Sequence, residues 1–181
     1  VAYLPQGPRD EAGLRAAAGK ADAILGELTR QLSLYPDRVQ QAFAPDDVSA
    51  AKRAGRKAVF LGIENGYAIG RDLSLLKHFR DKGVAYMTLC HNGDNDICDS
   101  AKGEGEHGGL SPFGRDVVRE MNRLGMMVDL AHASEASFYD ALACSAAPIV
   151  TTHSSCRALC DHPRSLTDDQ IRALAARGGV M

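Results

Sequence analysis

The stretch Ala58-Val-Phe-Leu-Gly-Ile-Glu64 gives the clearest information about the fold of this chain. An unbroken run of apolar and small residues is typical of a short strand that is buried on both faces. Here the run ends directly on a glutamate. Three further apolar runs follow along the chain, and each is closely followed by a histidine: Val84–Leu89 with His91, Met126–Leu130 with His132, and Pro148–Thr152 with His153.

Segments with helical periodicity separate these strands. They cover Asp10–Leu34, Pro45–Gly55, Asp72–Lys82, Ser111–Leu124, Ser134–Cys144 and a last segment that starts at Thr167. Strand and helix in alternation predict parallel βαβ units in an α/β fold. The strands alone do not decide between an open sheet and a closed barrel. With partial strands at Val1–Leu4 and Gly178–Met181 the chain has five or six strands, fewer than a complete barrel of about 250 residues needs.

The composition is that of an ordinary globular protein and excludes several classes of function. Of the 181 residues, 45% are hydrophobic and 24% are charged, and no linker-like stretch divides the chain, so we expect a single domain over residues 1–181. A net charge of -2 gives no electrostatic attraction to nucleic acid, and no apolar stretch is long enough to span a membrane. The five cysteines form no CxxC pair, which favours free thiols in a reducing compartment and a cytoplasmic location.

The position of the polar residues predicts where the chemistry occurs. Glu64, His91, His132 and His153 all follow strands, and the carboxyl ends of parallel strands form the functional face of α/β enzymes. A single histidine at a strand end is more often structural, but four such side chains on one rim favour a functional site. A carboxylate and two imidazoles suit Zn²⁺. A further histidine is able to stabilise an oxyanion during hydrolysis.

Other polar residues are expected to have ordinary structural roles when they are judged by local sequence alone. We expect Asp129 to point to the opposite side of its strand and to be structural. His107 and His162 are predicted to be solvated in loops, and His78 to lie on a helix surface. Arg164 lies in the loop after His153, where a surface arginine is the usual interpretation, although its guanidinium is also suited to bind a substrate carboxylate.

Five motifs together resemble the membrane (renal) dipeptidase family and its bacterial relatives. They are Gly62-Ile-Glu-Asn-Gly66, Met87-Thr-Leu-Cys-His91, Gly109-Leu-Ser-Pro-Phe-Gly114, Asp129-Leu-Ala-His-Ala-Ser134 and Thr152-His-Ser-Ser155. The resemblance covers nearly all of the chain and is weakest before residue 55. It implies a (β/α)8 TIM-type barrel, of which residues 1–181 form the central portion, about strands 2 to 7. It also implies hydrolysis of dipeptides by a metal-bridging water.

The resemblance implies a role for each candidate residue. Glu64 corresponds to a carboxylate that bridges two Zn²⁺ ions, and His132 and His153 complete the ligation of one of them. His91 corresponds to the residue that contacts the substrate and stabilises the tetrahedral intermediate. Arg164 corresponds to the arginine that binds the substrate carboxylate, which reverses the interpretation from local sequence. The expected partner is a dipeptide substrate; a homodimer is considered, and the sequence does not determine the oligomeric state.

Two family features are not found within residues 1–181. The family ligates its second zinc with a His-x-Asp pair on the first strand, and it uses an aspartate on the last strand to handle protons. We therefore expect the parent protein to be a metallo-dipeptidase and the 181-residue chain alone to be inactive. Two alternatives remain: another metal-dependent amidohydrolase acting on a cyclic amide or lactone, and a barrel that has lost catalysis and serves as a binding protein.

Overall fold

A parallel sheet forms the centre of the structure, a computed structural model that describes residues 1–181. The strands are β1 (Ala2–Tyr3), β2 (Val39–Gln41), β3 (Lys57–Val59), β4 (Leu61–Glu64), β5 (Val84–Thr88) and β6 (Met127–Asp129). The helices are α1 (Glu11–Ser33), α2 (Pro45–Arg53), α3 (Ser74–Asp81), α4 (Pro112–Arg123), α5 (Glu135–Cys144) and α6 (Asp168–Ala176). The main sheet has the order β1-β4-β5-β6, and β2 and β3 form a separate parallel pair.

The register of the main sheet separates its two faces. Ile63 pairs with Met87, and Met87 pairs with Val128. All three side chains are buried in one apolar cluster with residues of the surrounding helices, such as Phe79 of α3 and Phe138 of α5. Because side chains alternate along a strand, the next residue of each strand points to the other face. Glu64, Thr88 and Asp129 therefore form one row on the face away from the helices.

The predicted helices are confirmed, with ends that differ by one or two residues in most cases. Their starts are well capped: the Ser111 hydroxyl accepts a hydrogen bond from the Gly114 backbone N–H at 2.8 Å, and Pro112 occupies the first turn of α4. Thr167 and Gln170 form the predicted capping box at the start of α6. These capping signals could be predicted because a cap involves residues that are close in sequence.

The strands differ from the prediction in two places. The apolar run at residues 58–63 is not one strand, because Phe60 interrupts it. The part before Phe60 belongs to β3, which pairs with β2, and the part after it belongs to β4 of the main sheet. The segment predicted as a strand at Pro148–Thr152 is reduced to a bridge at Val150. That residue pairs in parallel with Asp129 on one side and with Val180 on the other, so the segment runs parallel to its neighbours, as predicted.

The close approach of the Tyr86 ring to the backbone explains the glycine at position 62. A Cβ atom there would lie 2.2 Å from the ring of Tyr86, so the ring covers the strand at the point where a side chain would project. None of the helices is both long enough and apolar enough to cross a lipid bilayer.

Candidate metal centre

Four predicted side chains meet at the carboxyl ends of the parallel strands. Glu64 is the last residue of β4. Each of the three histidines comes three residues after the last paired residue of its strand: His91 after Thr88, His132 after Asp129 and His153 after Val150. The Glu64 Oε1 atom lies 3.4 Å from Nε2 of His132, 3.4 Å from Nε2 of His153 and 3.8 Å from Nε2 of His91. The structure therefore brings together the four residues that the sequence placed on one rim.

The tightest group consists of Glu64, His132 and His153. Its ligand atoms are separated by 3.4, 3.4 and 2.9 Å, the last distance joining the two Nε2 atoms. Around a tetrahedral ion with metal–ligand bonds of about 2.0 to 2.1 Å, ligand atoms lie roughly 3.3 Å apart. Glu64, His91 and His132 form an overlapping group whose ligand atoms lie within 4.8 Å of one another. The donor set therefore fits a metal ion, and the first group fits it more closely.

His132 is held in the form that a metal ligand requires. Its backbone has a φ of 73°, a conformation that a non-glycine residue rarely adopts and that is often found at functional sites. Burial, followed by the positive charge of Arg164, lowers the pKa of His132 to about 3, so the ring is neutral near pH 7. The Asn92 Oδ1 atom lies 3.1 Å from Nδ1, and an amide oxygen only accepts hydrogen bonds. Nδ1 therefore carries the proton, and Nε2 presents its lone pair towards Glu64.

His91 lies beside the group of Glu64, His132 and His153, at a slightly larger distance from Glu64. Its ring packs edge-on against Tyr3, with ring centroids 4.8 Å apart, and lies 4.1 Å from the ring of His132. Burial is the main cause that lowers the pKa of His91, and the nearby carboxylate of Glu64 opposes the effect. A neutral imidazole near a metal site is able to donate one hydrogen bond to a developing negative charge.

Arg164 reaches the same rim from the loop after His153. Its Nη2 donates a hydrogen bond of 3.3 Å to the backbone oxygen of His153, while Nε is buried and has no partner among the protein atoms. Burial lowers the pKa of Arg164, against the opposing effect of Cys90 and Glu64. A partly buried cation with a free N–H group close to the histidines is suited to bind an anionic group of a ligand.

A buried amide network lies directly behind Glu64. Asn65, with a φ of 90° and no exposed surface, donates from Nδ2 to the Leu4 oxygen at 2.9 Å and to Gln6 Oε1 at 3.3 Å. Its Oδ1 accepts from the Tyr67 backbone N–H and from Asn95 Nδ2, at 3.1 and 3.0 Å. Asn65 thus ties together the segments that follow β1, β4 and β5. Sequence reasoning missed this residue, whose only local signal was an asparagine at a strand end.

The predicted direction of the Asp129 side chain is wrong. Asp129 lies in the row of Glu64 and Thr88, on the site's side of the sheet, and its side chain is fully buried. Local sequence did not decide this direction, because the backbone leaves the strand geometry between Asp129 and His132.

The remaining histidines lie outside the centre, as expected. His78 is exposed and contacts Asp22 at 2.9 Å. His107 is half-buried rather than solvated, and its Nε2 lies 2.7 Å from the backbone oxygen of Asn95. His162 is also half-buried rather than solvated, and its Nδ1 atom accepts a hydrogen bond from the backbone N–H of Arg164 at 3.1 Å, so this ring supports the loop that carries the arginine.

Comparisons with known proteins agree with the geometry. Residues 2–181 match the sequence profile of membrane dipeptidase, peptidase family M19. Dipeptidase tcpJ of Claviceps purpurea is 44% identical over 155 residues, which are 85% of this chain and 36% of that protein. The probable dipeptidase PvdM from Pseudomonas aeruginosa is 30% identical, with a TM-score of 0.89 over 93% of this chain and 44% of that structure.

A third solved structure is relevant to the site. A metallo peptidase from Rhodobacter sphaeroides, liganded with a phosphinate mimic of the dipeptide L-Ala-D-Ala, is 26% identical with a TM-score of 0.88. The alignment covers 99% of this chain and 58% of that structure. The chain therefore spans between 36% and 58% of the length of the relatives named here. The predicted TIM-type α/β fold class is confirmed over that part.

Proposed function

This chain belongs to the membrane dipeptidase family, peptidase family M19, and we propose that the protein containing it is a zinc-dependent dipeptidase. The observation that carries the proposal is the convergence of Glu64 Oε1 with Nε2 of His132 and Nε2 of His153 within 3.4 Å. We infer further that residues 1–181 form the central portion of one barrel domain. A homodimer and a cytoplasmic location stay predictions of the sequence.

Glu64, His132 and His153 are the residues that would hold zinc in this proposal. One carboxylate and two neutral imidazoles are a ligand set that zinc sites in enzymes commonly use. We propose two ions bridged by Glu64, with the remaining ligands of the second ion supplied by the His-x-Asp pair expected from the resemblance, outside residues 1–181. When bound, zinc lowers the pKa of a water molecule and polarises a carbonyl oxygen.

The other two residues of the rim act on the substrate. Arg164 binds the free carboxylate of the dipeptide, because its Nε is buried without a protein partner and the guanidinium fork matches a carboxylate. His91 donates a hydrogen bond from its imidazole to the oxyanion that develops at the scissile carbonyl, as the neutral form of the ring allows. The bound dipeptide mimic in the Rhodobacter sphaeroides peptidase supports a small peptide as the substrate class.

The experiment that tests the proposal is elemental analysis of the full-length protein for zinc, with wild type compared with Glu64→Ala. We expect about two zinc ions per chain in the wild type and one or none in the variant, because a bridging carboxylate contributes to both sites. Glu104→Ala is the matched control, since Glu104 is an exposed glutamate in the neighbouring loop and its loss removes the same charge.

The outcome also discriminates between the alternatives. Wild-type protein that binds no metal after reconstitution would favour the binding protein without catalysis. Protein that binds zinc and cleaves cyclic amides or lactones while leaving dipeptides intact would favour the other amidohydrolase.

A further inference from the structure

A fully buried carboxylate lies beneath the metal centre and accepts four hydrogen bonds. Oδ2 of Asp129 accepts from the hydroxyls of Thr88 at 2.6 Å and Thr152 at 2.7 Å. Oδ1 accepts from the backbone N–H groups of Ala131 and Thr152, each at 3.0 Å. Every acceptor position is thus used by a neighbour, which compensates the cost of burying the group. The carboxylate joins β5, β6 and the segment that carries His153.

The hydroxyl of Thr152 connects this carboxylate to a histidine of the centre. Its oxygen lies 2.8 Å from Nδ1 of His153. A hydroxyl has a single proton, and the Thr152 hydroxyl donates it to Asp129. Its oxygen is therefore left to accept a hydrogen bond, and Nδ1 of His153 must carry the proton that is donated. The lone pair of His153 is consequently on Nε2, the atom that lies 3.4 Å from Glu64 Oε1.

We propose that Asp129 and Thr152 are positioning residues that fix the ring orientation and the tautomer of His153 for metal binding. The inference concerns the zinc ligand named above and in that respect rests on the proposed function. His132 reaches the same tautomer by a different route, through the amide oxygen of Asn92. Partners of this kind, on the far ring nitrogen of a metal-binding histidine, orient the ligand and tune the affinity of the site.

The chain provides a matched control. Thr88 donates to the same carboxylate oxygen as Thr152, at nearly the same distance, but it makes no hydrogen bond to His153. Replacing either threonine by valine removes one hydroxyl donor from Asp129 and preserves the β-branched shape. Only Thr152→Val also removes the acceptor of the His153 Nδ1 proton. Thr152→Ser keeps the hydroxyl and serves as the conservative variant.

The test compares these three variants with the wild type in the full-length protein. The first measurement is zinc affinity by competition with a chelator. We expect Thr152→Val to bind zinc about 10- to 100-fold more weakly, and Thr88→Val and Thr152→Ser to bind like the wild type. The second measurement is the ¹⁵N chemical shifts of the His153 ring nitrogens in metal-free protein, at about pH 8.

The ring shifts should show the Nδ1-protonated tautomer of His153 in the wild type, Thr88→Val and Thr152→Ser, and a mixture in Thr152→Val. The signal is assigned by its loss in His153→Gln. Equal loss of affinity in both valine variants, or an unchanged tautomer in Thr152→Val, would overturn the inference. A wild type that binds no zinc would instead contradict the proposed function, and the ring shifts would still decide the role of Thr152.

Discussion

Replacing Asn65 by alanine should destabilise the protein strongly, because this side chain satisfies several buried groups at once. The substitution leaves three groups without a hydrogen-bond partner: the Leu4 backbone oxygen, the Tyr67 backbone N–H and one N–H of Asn95. Each unsatisfied buried group costs about 1 to 3 kcal/mol. Three such groups give about 3 to 9 kcal/mol, and water that enters the space left by the amide brings the loss toward the lower end. We expect a decrease of about 3 to 5 kcal/mol in the free energy of unfolding.

The backbone conformation gives a second, independent part of the same prediction. The φ of Asn65 is 90°, in the region that glycine adopts freely and alanine does not. Asn65→Gly loses the same hydrogen bonds as Asn65→Ala but avoids a backbone cost of about 1 kcal/mol. The glycine variant should therefore be less destabilised than the alanine variant by about that amount.

The assay is equilibrium unfolding in urea of the full-length protein, with Asn122→Ala as the control. Asn122 accepts hydrogen bonds from the Ser145 hydroxyl at 3.1 Å and the Ala146 N–H at 2.7 Å, but it is half-exposed, so water replaces it. Its loss should cost about 1 kcal/mol. A loss for Asn65→Ala no larger than the control's would refute the view that this amide organises the rim. A glycine variant less stable than the alanine variant would refute the conformational part.

Two further predictions concern recognition and pH. Arg164→Ala should raise KM for dipeptides about 10- to 100-fold, because a charge-assisted hydrogen bond is worth about 1.5 to 3 kcal/mol. The control is Arg172→Ala, since Arg172 is exposed. An unchanged KM would favour an amidohydrolase whose substrate has no free carboxylate. Asp47 accepts hydrogen bonds from the Phe43 and Ala44 N–H groups, which lower its pKa below the ordinary value of 3.8. Its stabilisation is therefore fully present above about pH 4 and is lost as the pH falls through the lowered pKa. Asp47→Asn should accordingly lower the urea midpoint at neutral pH, and a deficit that persists undiminished in acid would contradict the assigned cause.

Local patterns were sufficient to predict most helices and the positions of most strands along the chain. The helix predicted at Ser111–Leu124 is found at Pro112–Arg123, and the strand predicted at Val84–Leu89 is found at Val84–Thr88. Caps, prolines and apolar periodicity act within a few residues, so they can be recognised in the sequence. The interruption at Phe60 was not predictable in this way, because β3 leaves the main sheet to pair with β2, a distant segment.

The sequence by itself determined which residues lie together at the candidate metal centre, whereas their separate roles come from the family resemblance. Glu64, His132 and His153 follow strands of one parallel sheet, and parallel strands present their carboxyl ends on a single face. Their position on the rim thus follows from chain direction alone.

Only the tertiary structure decided how these residues are held. The 3.4 Å separations from Glu64 Oε1 and the direction of Asp129 depend on the register between strands. Register is a relation between segments that are distant in sequence, and a shift of one residue would turn Asp129 to the other face. For this reason the residues of the candidate site could be named from the sequence, whereas the hydrogen bonds that orient them could not.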